Sequence, residues 1–402
     1  MGENERVRVT PALVLVLLLA LPLYADRFRV VVVTQTQNAI RANVISALVR
    51  ATDIEPWGGG PAFAAEIDRE DLDALRNDPR VRAIAIDEGG GAGLTESLPF
   101  IGADVVHLQG IDGRGTTVAV LDSGIDTDHP AFAGRITGEA CFCDNFDGTG
   151  CCPGGVTTRL GTGAAEDDQG HGTHVAGIVS GVAPATSIVA VKVLDAGNRF
   201  RSFTQIFRAL EWVADNRPDV NAINMSLGSD ARLTDAECGS FAIALGLQPV
   251  IARLRDRGVL IAASSGNNGA TDRTWLPACM SDVLGVGATF DNADNVAEFT
   301  NSSTSLDLLA PGVSITSTAR GGGTTTLSGT SMAAPHVAGL IALMKQVGGA
   351  FPADWIQSIL ENSGKPVTDT RNSLTVPRID ALATIAATPR VPLGPRRRSA
   401  RH

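Results

Sequence analysis

Three short segments of the chain carry side chains that could do chemistry together. Asp122 lies in LDSGIDTDHP, His171 opens HGTHVAG, and Ser331 stands near the start of GTSMAAPHVAG. A serine hydroxyl is a poor nucleophile at neutral pH, so a base must take its proton and a carboxylate must orient that base. These residue types, in the chain order Asp, His, Ser, predict a catalytic triad for acyl transfer.

A buried strand is predicted to position the carboxylate. Residues 117–121, TVAVL, form a continuous apolar and β-branched run, which is typical of a buried parallel strand. Asp122 follows at the carboxyl end of this strand, the edge at which open α/β sheets form their reactive crevices. Asp126 and Asp128 lie further along the loop and are expected to be solvated turn residues.

The nucleophile and the base are predicted near helix N-termini. Ser331 precedes an apolar helical face, and free N–H groups at a helix start favour developing negative charge. Taken alone, Ser331 could be an ordinary helix cap and His171 a packing residue. His171 and His174 also have the spacing of a metal pair, but the glutamate of the zinc-protease motif HExxH is missing between them.

On these motifs the chain resembles the subtilisin-like serine proteases of the subtilase family, peptidase family S8. The resemblance covers roughly residues 28 to 385. It implies a three-layer α/β/α fold with a mostly parallel sheet, preceded by a small α+β, ferredoxin-like prodomain. It also implies that Asp122 orients His171, that His171 is the general base, and that Ser331 is the nucleophile.

The resemblance also implies an oxyanion site and the walls of a substrate groove. The strand predicted at 259–263 ends in SSGNNG, where Asn267 rather than Asn268 matches the family's amide donor, with the backbone N–H of Ser331 as the second donor. An ordinary turn asparagine is the alternative. Because the wall segments are built from small residues, we expect an open pocket that prefers apolar or large P1 side chains. The predicted wall residues are Ser226, Leu227, Gly228, Ser264, Ser265 and Gly266.

The N-terminal residues predict export. Two arginines precede an apolar run at 12–21, which is shorter than the roughly 20 residues of a membrane span, and a small residue at position 25 offers a cleavage point. We therefore expect a signal peptide at 1–25 and a secreted protein, extracellular or periplasmic. An uncleaved anchor is the alternative, and no stable membrane span is expected in the remaining chain.

A small module is predicted between the signal and the triad. Strands at Val30–Val33, 62–67 and 81–86 alternate with helical stripes at 40–49 and 68–77. This rhythm resembles the inhibitor-like and chaperone-like subtilase propeptide, which we assign to 26–90; a generic α+β module is the alternative. The glycine-rich link at 89–93 separates it from a peptidase domain at 95–385, and a basic tail follows at 386–402.

The even number of cysteines predicts disulfides in an exported protein. Four of the six crowd CFCDNFDGTGCC, where local bridges are favoured over a zinc site, and the last two are left to pair with each other. Six cysteines allow 15 connectivities. The candidates are Cys141, Cys143, Cys151, Cys152, Cys238 and Cys279.

Composition limits the partners. The formal net charge of −10 argues against nucleic-acid binding. We expect polypeptide substrates, the chain's own propeptide as an intramolecular inhibitor, and a monomer. No cofactor or metal is expected in catalysis. Structural calcium is possible but cannot be placed, because the helix after HGTHVAG shows no inserted loop of the kind in which many subtilases bind it.

The function predicted from the sequence is that of a secreted serine endopeptidase made as a self-processing zymogen. The alternative is a catalytically silent, subtilase-like binding protein, which would be expected to lack part of the triad or the oxyanion asparagine. An esterase is a third possibility, but it would be expected to show GxSxG and the order Ser, Asp, His.

Overall fold

A computed structural model describes residues 27–34, 52–56, 62–68, 71, 74–75, 78–86, 94–229 and 234–390. The chain divides into two compact units, Met1–Gly91 and Ala92–His402. The predicted signal peptide, the helical stripe at 40–49, the link at 89–93 and the tail beyond 390 lie outside the described residues.

The first unit contains a four-stranded sheet. Its strands are β1 Arg27–Thr34, β2 Thr52–Pro56, β3 Ala62–Asp68 and β4 Val81–Ile86, in the order β2-β3-β1-β4 with antiparallel pairing. The three strands predicted from the sequence are confirmed. The prediction lacked β2, which pairs with β3 at one edge of the sheet.

The second unit is built on a ten-stranded sheet in the order β15-β16-β12-β11-β10-β9-β5-β8-β6-β7. The pairs from β16 to β6 are parallel, and the outermost pair at each end is antiparallel. A separate hairpin joins β13 to β14. The strands are β5 Thr117–Asp122, β6 Ile136–Phe142, β7 Thr158–Leu160, β8 Ser187–Lys192, β9 Ala222–Met225, β10 Leu260–Ser264, β11 Leu284–Thr289, β12 Leu308–Pro311, β13 Ile315–Thr318, β14 Thr324–Leu327, β15 Lys365–Asp369 and β16 Leu374–Arg378.

Helices cover both faces of this sheet. The helices of the second unit are α1 Ser97–Ile101, α2 Ala103–Leu108, α3 His171–Val182, α4 Phe203–Asn216, α5 Asp235–Ala244, α6 Leu247–Asp256, α7 Thr330–Gly348, α8 Ala353–Ser363 and α9 Ala381–Ala387. Alternate side chains of β5 enter two different cores. Val118 and Val120 pack with α3 and α7, whereas Ala119 and Leu121 pack with α4 and α6. The predicted three-layer α/β/α fold is therefore confirmed.

The end of β5 lies where the order of the strands reverses: strands that follow it in sequence are added first on one side of it and then on the other. From β5 the chain adds β6, β7 and β8 on one side, with β8 next to β5, then crosses to β9 and continues through β10, β11 and β12 on the other side. Crevices for ligands form at such switch points, outside the carboxyl ends of parallel strands. Asp122 is the last residue of β5 and lies at this point.

All six cysteines are paired. The bridges are Cys141–Cys152, Cys143–Cys151 and Cys238–Cys279. The prediction of local bridges in the loop is confirmed, as is the pairing of the remaining two cysteines, so the four loop thiols do not form a zinc site. None of the helices that the structure describes is long and apolar enough to cross a bilayer.

Candidate active site

Asp122 and His171 are joined by a short hydrogen bond. The imidazole Nδ1 lies 2.7 Å from Asp122 Oδ1, which also accepts the backbone N–H of Ser123 at 2.7 Å. The Asp122 side chain is fully buried, whereas that of His171 is 12% exposed. A buried carboxylate thus orients an imidazole whose other nitrogen is left for a reacting group.

A glycine permits this close approach. A Cβ atom at Gly172 would lie 2.1 Å from the carbonyl oxygen of Gly124 and 3.0 Å from Asp122 Cβ. Because the nearest of these atoms is backbone, it could not turn aside as a flexible side chain would. Any side chain at Gly172 would therefore push the start of α3 away from the end of β5.

Asp167 was not predicted as a site residue, but its carboxylate accepts hydrogen bonds at the start of α3. One carboxylate oxygen accepts the Ser123 hydroxyl and the N–H groups of Gln169 and Gly170, each at 2.9 Å. The other accepts the N–H of Thr173 at 3.1 Å and its hydroxyl at 2.5 Å. Asp167 is 1% exposed. An aspartate four residues before a helix-start histidine was the available signal, since acidic side chains satisfy free N–H groups there.

The two carboxylates set the proton affinity of His171. Burial of the imidazole disfavours its charged form, but the charge of Asp122 and the hydrogen bond to it act in the opposite direction, and Asp167 adds a smaller effect. Together they raise the pKa of His171 above its ordinary value. The imidazole is therefore tuned to be a better base than a free histidine.

Ser331 is the second residue of α7 and is held beside the end of β9. Its carbonyl accepts the Ser226 hydroxyl at 2.7 Å, and Asn224 donates to that same hydroxyl at 3.0 Å. Its own Oγ donates to the Ser226 carbonyl at 3.3 Å, and no hydrogen bond joins it to His171 among the described residues. Such bonds are often long or absent until substrate is bound.

Asn267 and the backbone N–H of Ser331 converge on one point. Asn267 Oδ1 accepts both the N–H and the hydroxyl of Thr330 at 2.9 Å, which turns the amide nitrogen away from Thr330. A Cβ atom at Gly329 would lie 3.5 Å from Asn267 Nδ2 and 3.7 Å from Ser331 N. Both nitrogens thus lie within 3.7 Å of one position beside Gly329. Asn268 Oδ1 instead accepts the indole N–H of Trp275 at 2.7 Å.

Two other histidines near the triad are structural. His174 Nε2 lies 3.1 Å from the carbonyl oxygens of Ile315 and Thr325, and burial lowers its pKa to about 4. His336 contacts the Met332 carbonyl and the Ser97 hydroxyl, and burial also lowers its pKa to about 4. Within the described residues, no group of three His, Cys, Asp or Glu side chains could hold a metal ion. Structural calcium stays a prediction.

Asp126, in the loop that follows Asp122, is buried rather than solvated. Asp126 is 9% exposed, and its Oδ2 accepts the N–H of Gly321 at the tip of the β13–β14 hairpin at 2.7 Å. The prediction of a solvated turn residue is therefore wrong for Asp126. It is confirmed for Asp128, which is exposed.

The comparisons with known proteins agree on one family. The subtilase family matches residues 113–380. M-protease of Shouchella clausii (strain KSM-K16) is 35% identical over 323 residues, 77% of this chain and 76% of that protein. Subtilisin E of Bacillus subtilis (strain 168) is 35% identical over 299 residues, 70% of each protein. A solved cold adapted subtilisin-like serine proteinase is 30% identical with a TM-score of 0.54, covering 67% of this chain and 90% of that one.

The chain belongs to the subtilase family. Its fold is subtilisin-like, and it is a serine protease of that family.

Proposed function

We propose that the chain is a secreted serine endopeptidase in which Asp122, His171 and Ser331 form the triad. The Asp122–His171 hydrogen bond of 2.7 Å, at the switch point of the sheet, carries this proposal. It supplies an oriented base beside the strand edge that holds Ser331. The exposed amide of Asn267 and the N–H of Ser331 supply the two donors that an oxyanion requires.

The reaction runs in two halves. His171 removes the Ser331 proton as Oγ attacks the scissile carbonyl carbon, and the resulting oxyanion accepts hydrogen bonds from Asn267 Nδ2 and Ser331 N–H. The imidazolium then gives its proton to the leaving amine, which leaves an acyl group on Ser331. Water hydrolyses this acyl-enzyme with His171 again as the base, and the serine is restored.

Substrate is proposed to lie extended between two segments, 226–228 after β9 and 264–266 at the end of β10. The first is linked to the nucleophile through the hydroxyl of Ser226, and the second precedes Asn267 directly. An extended peptide between such segments can add backbone hydrogen bonds on either side. The cleaved bond would then face Ser331.

Labelling with a fluorophosphonate tests the nucleophile directly. We expect one covalent adduct, on the peptide that contains Ser331, together with hydrolysis of casein. Ser331→Ala should abolish both, whereas the control Ser328→Ala, which changes an exposed serine three residues earlier, should retain both. A folded protein that takes no label and cleaves nothing would instead be the silent binding protein.

Residues 26–90 are proposed to act as an inhibitory propeptide and folding template that the finished triad removes. A parallel sheet pairs strands that are distant in sequence, so its folding is slow without help. The wild-type precursor should lose about 60–70 residues beyond the signal peptide, the size of a small independent domain. Ser331→Ala should keep the propeptide attached to a folded protease unit. Normal maturation of Ser331→Ala in a protease-free system would contradict self-processing.

A further inference from the structure

Trp275 lies between the two proposed wall segments although it belongs to neither. Its backbone N–H donates to the carbonyl of Ser265 at 2.8 Å. The next residue, Leu276, pairs with Ser229, whose N–H donates to the Leu276 carbonyl at 2.9 Å. The backbone at 275–276 therefore joins Ser265 to Ser229, the residue that follows the segment at 226–228.

The indole ring packs directly on a glycine of each segment. A Cβ atom at Gly266 would lie 2.6 Å from Cγ and Cδ2 of the indole and 2.3 Å from the Asn301 amide nitrogen, closer than van der Waals contact allows. A Cβ atom at Gly228 would lie 3.1 Å from Trp275 Cβ and 3.2 Å from Cε3. The absence of a side chain makes room for the ring at both positions, beside the Asn301 amide at Gly266 and the Leu276 carbonyl at Gly228. The space that these small residues open is therefore occupied.

The ring is also fixed in place. Its Nε1–H donates to Asn268 Oδ1 at 2.7 Å, and the backbone of Asn268 is itself held by Asn301 Oδ1 at 3.0 Å. The side chain is half-buried. To swing out, the indole would have to leave both glycines and give up this hydrogen bond.

We infer that Trp275 restricts the P1 side chain to small residues. This inference rests on the proposed function, and it replaces the expectation of an open pocket for large P1 groups. A close-packed site rejects added volume, because a larger side chain needs either displacement of the ring or a shift of the walls. Alanine at P1 needs neither, whereas phenylalanine requires the volume that the indole holds.

Hydrolysis of tetrapeptide p-nitroanilides that differ only at P1 tests this inference. In the mature wild-type enzyme, kcat/KM for P1 alanine should exceed that for P1 phenylalanine by at least ~10-fold, since pocket volume discriminates by roughly 10–200-fold per small group. Trp275→Ala should reverse the preference and change the ratio by about 100-fold. Asn268→Ala removes the acceptor for Nε1 and should give an intermediate ratio.

A matched control separates pocket volume from a general effect of losing a tryptophan. Trp212 on α4 is also half-buried and packs near Phe142, with ring centroids 6.4 Å apart. Trp212→Ala should leave the ratio of P1 alanine to P1 phenylalanine at the wild-type value. Active-site titration with a fluorophosphonate gives the concentration of folded enzyme for each variant.

The outcomes distinguish the inference from the proposed function. A wild-type enzyme that takes the label on Ser331 and cleaves the phenylalanine substrate as fast as the alanine substrate overturns the role of Trp275 while leaving the protease intact. So does a Trp275→Ala variant that titrates fully but keeps the wild-type ratio. If no substrate is cleaved and Ser331 takes no label, the proposed function itself fails. Should Trp275→Ala not fold, the wild-type ratio alone decides.

Discussion

The two halves of the site are held by different physical means. The base half, Asp122 with His171, is buried and charged. A second carboxylate, Asp167, accepts hydrogen bonds from the residues that follow Asp122 and His171 in the chain. The nucleophile half, Ser331 with Asn267, is more exposed and is held by neutral amide, hydroxyl and carbonyl groups. The base half sets a proton affinity before substrate arrives, whereas the nucleophile half supplies donors to a charge that exists only during the reaction.

The largest loss of rate is expected in the nucleophile half, at the proposed donor to the oxyanion. Asn267→Ala removes one donor to the oxyanion and should lower kcat by about 10²–10³, the magnitude found for the corresponding donor in subtilisin rather than one worked out from this structure. KM, the acid limb of the pH profile and the Tm should change little. Asn268→Ala is the neighbouring control, compared on the P1 alanine substrate, which needs no movement of the Trp275 ring. If it shows the larger loss of kcat, the donor has been assigned to the wrong asparagine.

Gly172→Ala should damage the base half through geometry alone. The new methyl group would lie 2.1 Å from the Gly124 carbonyl oxygen, so α3 must move away from Asp122. We expect a loss of about 1–3 kcal/mol in the free energy of unfolding, and a loss of up to about 10²-fold in kcat/KM because the imidazole is misplaced.

The control for this change is Gly239→Ala, since Gly239 is also helical and nothing lies within 4 Å of an added Cβ atom there. It should be neutral or stabilising, because alanine favours helix more than glycine does. Equal melting temperatures for the Gly172 variant and wild type in thermal denaturation would contradict the close approach.

Asp167→Asn should move the pH profile of the base half. His171 must be neutral to accept a proton, so kcat/KM falls as the pH drops through the raised pKa of His171. Removing the negative charge of Asp167 lowers that pKa, so the acid limb should move to lower pH. A purely structural role would reduce the amplitude of the profile and leave its midpoint unchanged.

The same variant should also change the pH dependence of stability. Hydrogen bonds hold the pKa of Asp167 below its ordinary value despite burial, so its contribution is present above the unfolded pKa and is lost as the pH falls through the folded pKa. At neutral pH, Asp167→Asn should therefore be less stable than wild type by about 2 kcal/mol in denaturant unfolding. The two proteins should converge in acid.

Thr330→Val should have the smallest effect on rate. The Asn267 carbonyl loses the hydroxyl of Thr330 but keeps its backbone N–H, so the amide is loosened rather than released. The same hydroxyl accepts the backbone N–H of Gly266 at 3.2 Å, and this contact is lost as well. We expect a loss of at most about 10-fold in kcat, the equivalent of one neutral hydrogen bond. Steady-state kinetics should show a smaller loss from Thr330→Val in the Asn267→Ala background than in wild type, because only the contact with Gly266 is then left to lose. Fully additive losses would mean that Thr330 does not act through Asn267.

The sequence predicts the elements of the site better than the contacts between them. Continuous apolar runs identify β5 and β10, because strands buried on both faces leave such runs. The burial of Asp126 could not be predicted in this way, because it depends on the N–H of Gly321, 195 residues further along the chain. Trp275 was missed for a similar reason: the wall segments themselves contain small residues, and the ring that fills them comes from a third segment.

The two nested disulfides near the β7 edge of the sheet have a consequence for a protease, which can cleave other copies of itself. A protease in solution is surrounded by copies of itself, and each surface loop competes as a substrate. The Cys143–Cys151 bridge returns the chain to a Cα separation of 5.1 Å after 8 residues, and Cys141–Cys152 closes a second ring outside it. Such rings resist the extended conformation that a substrate groove requires. A peptide bond cut inside them would leave both ends attached, so a single cut in this loop would release no fragment.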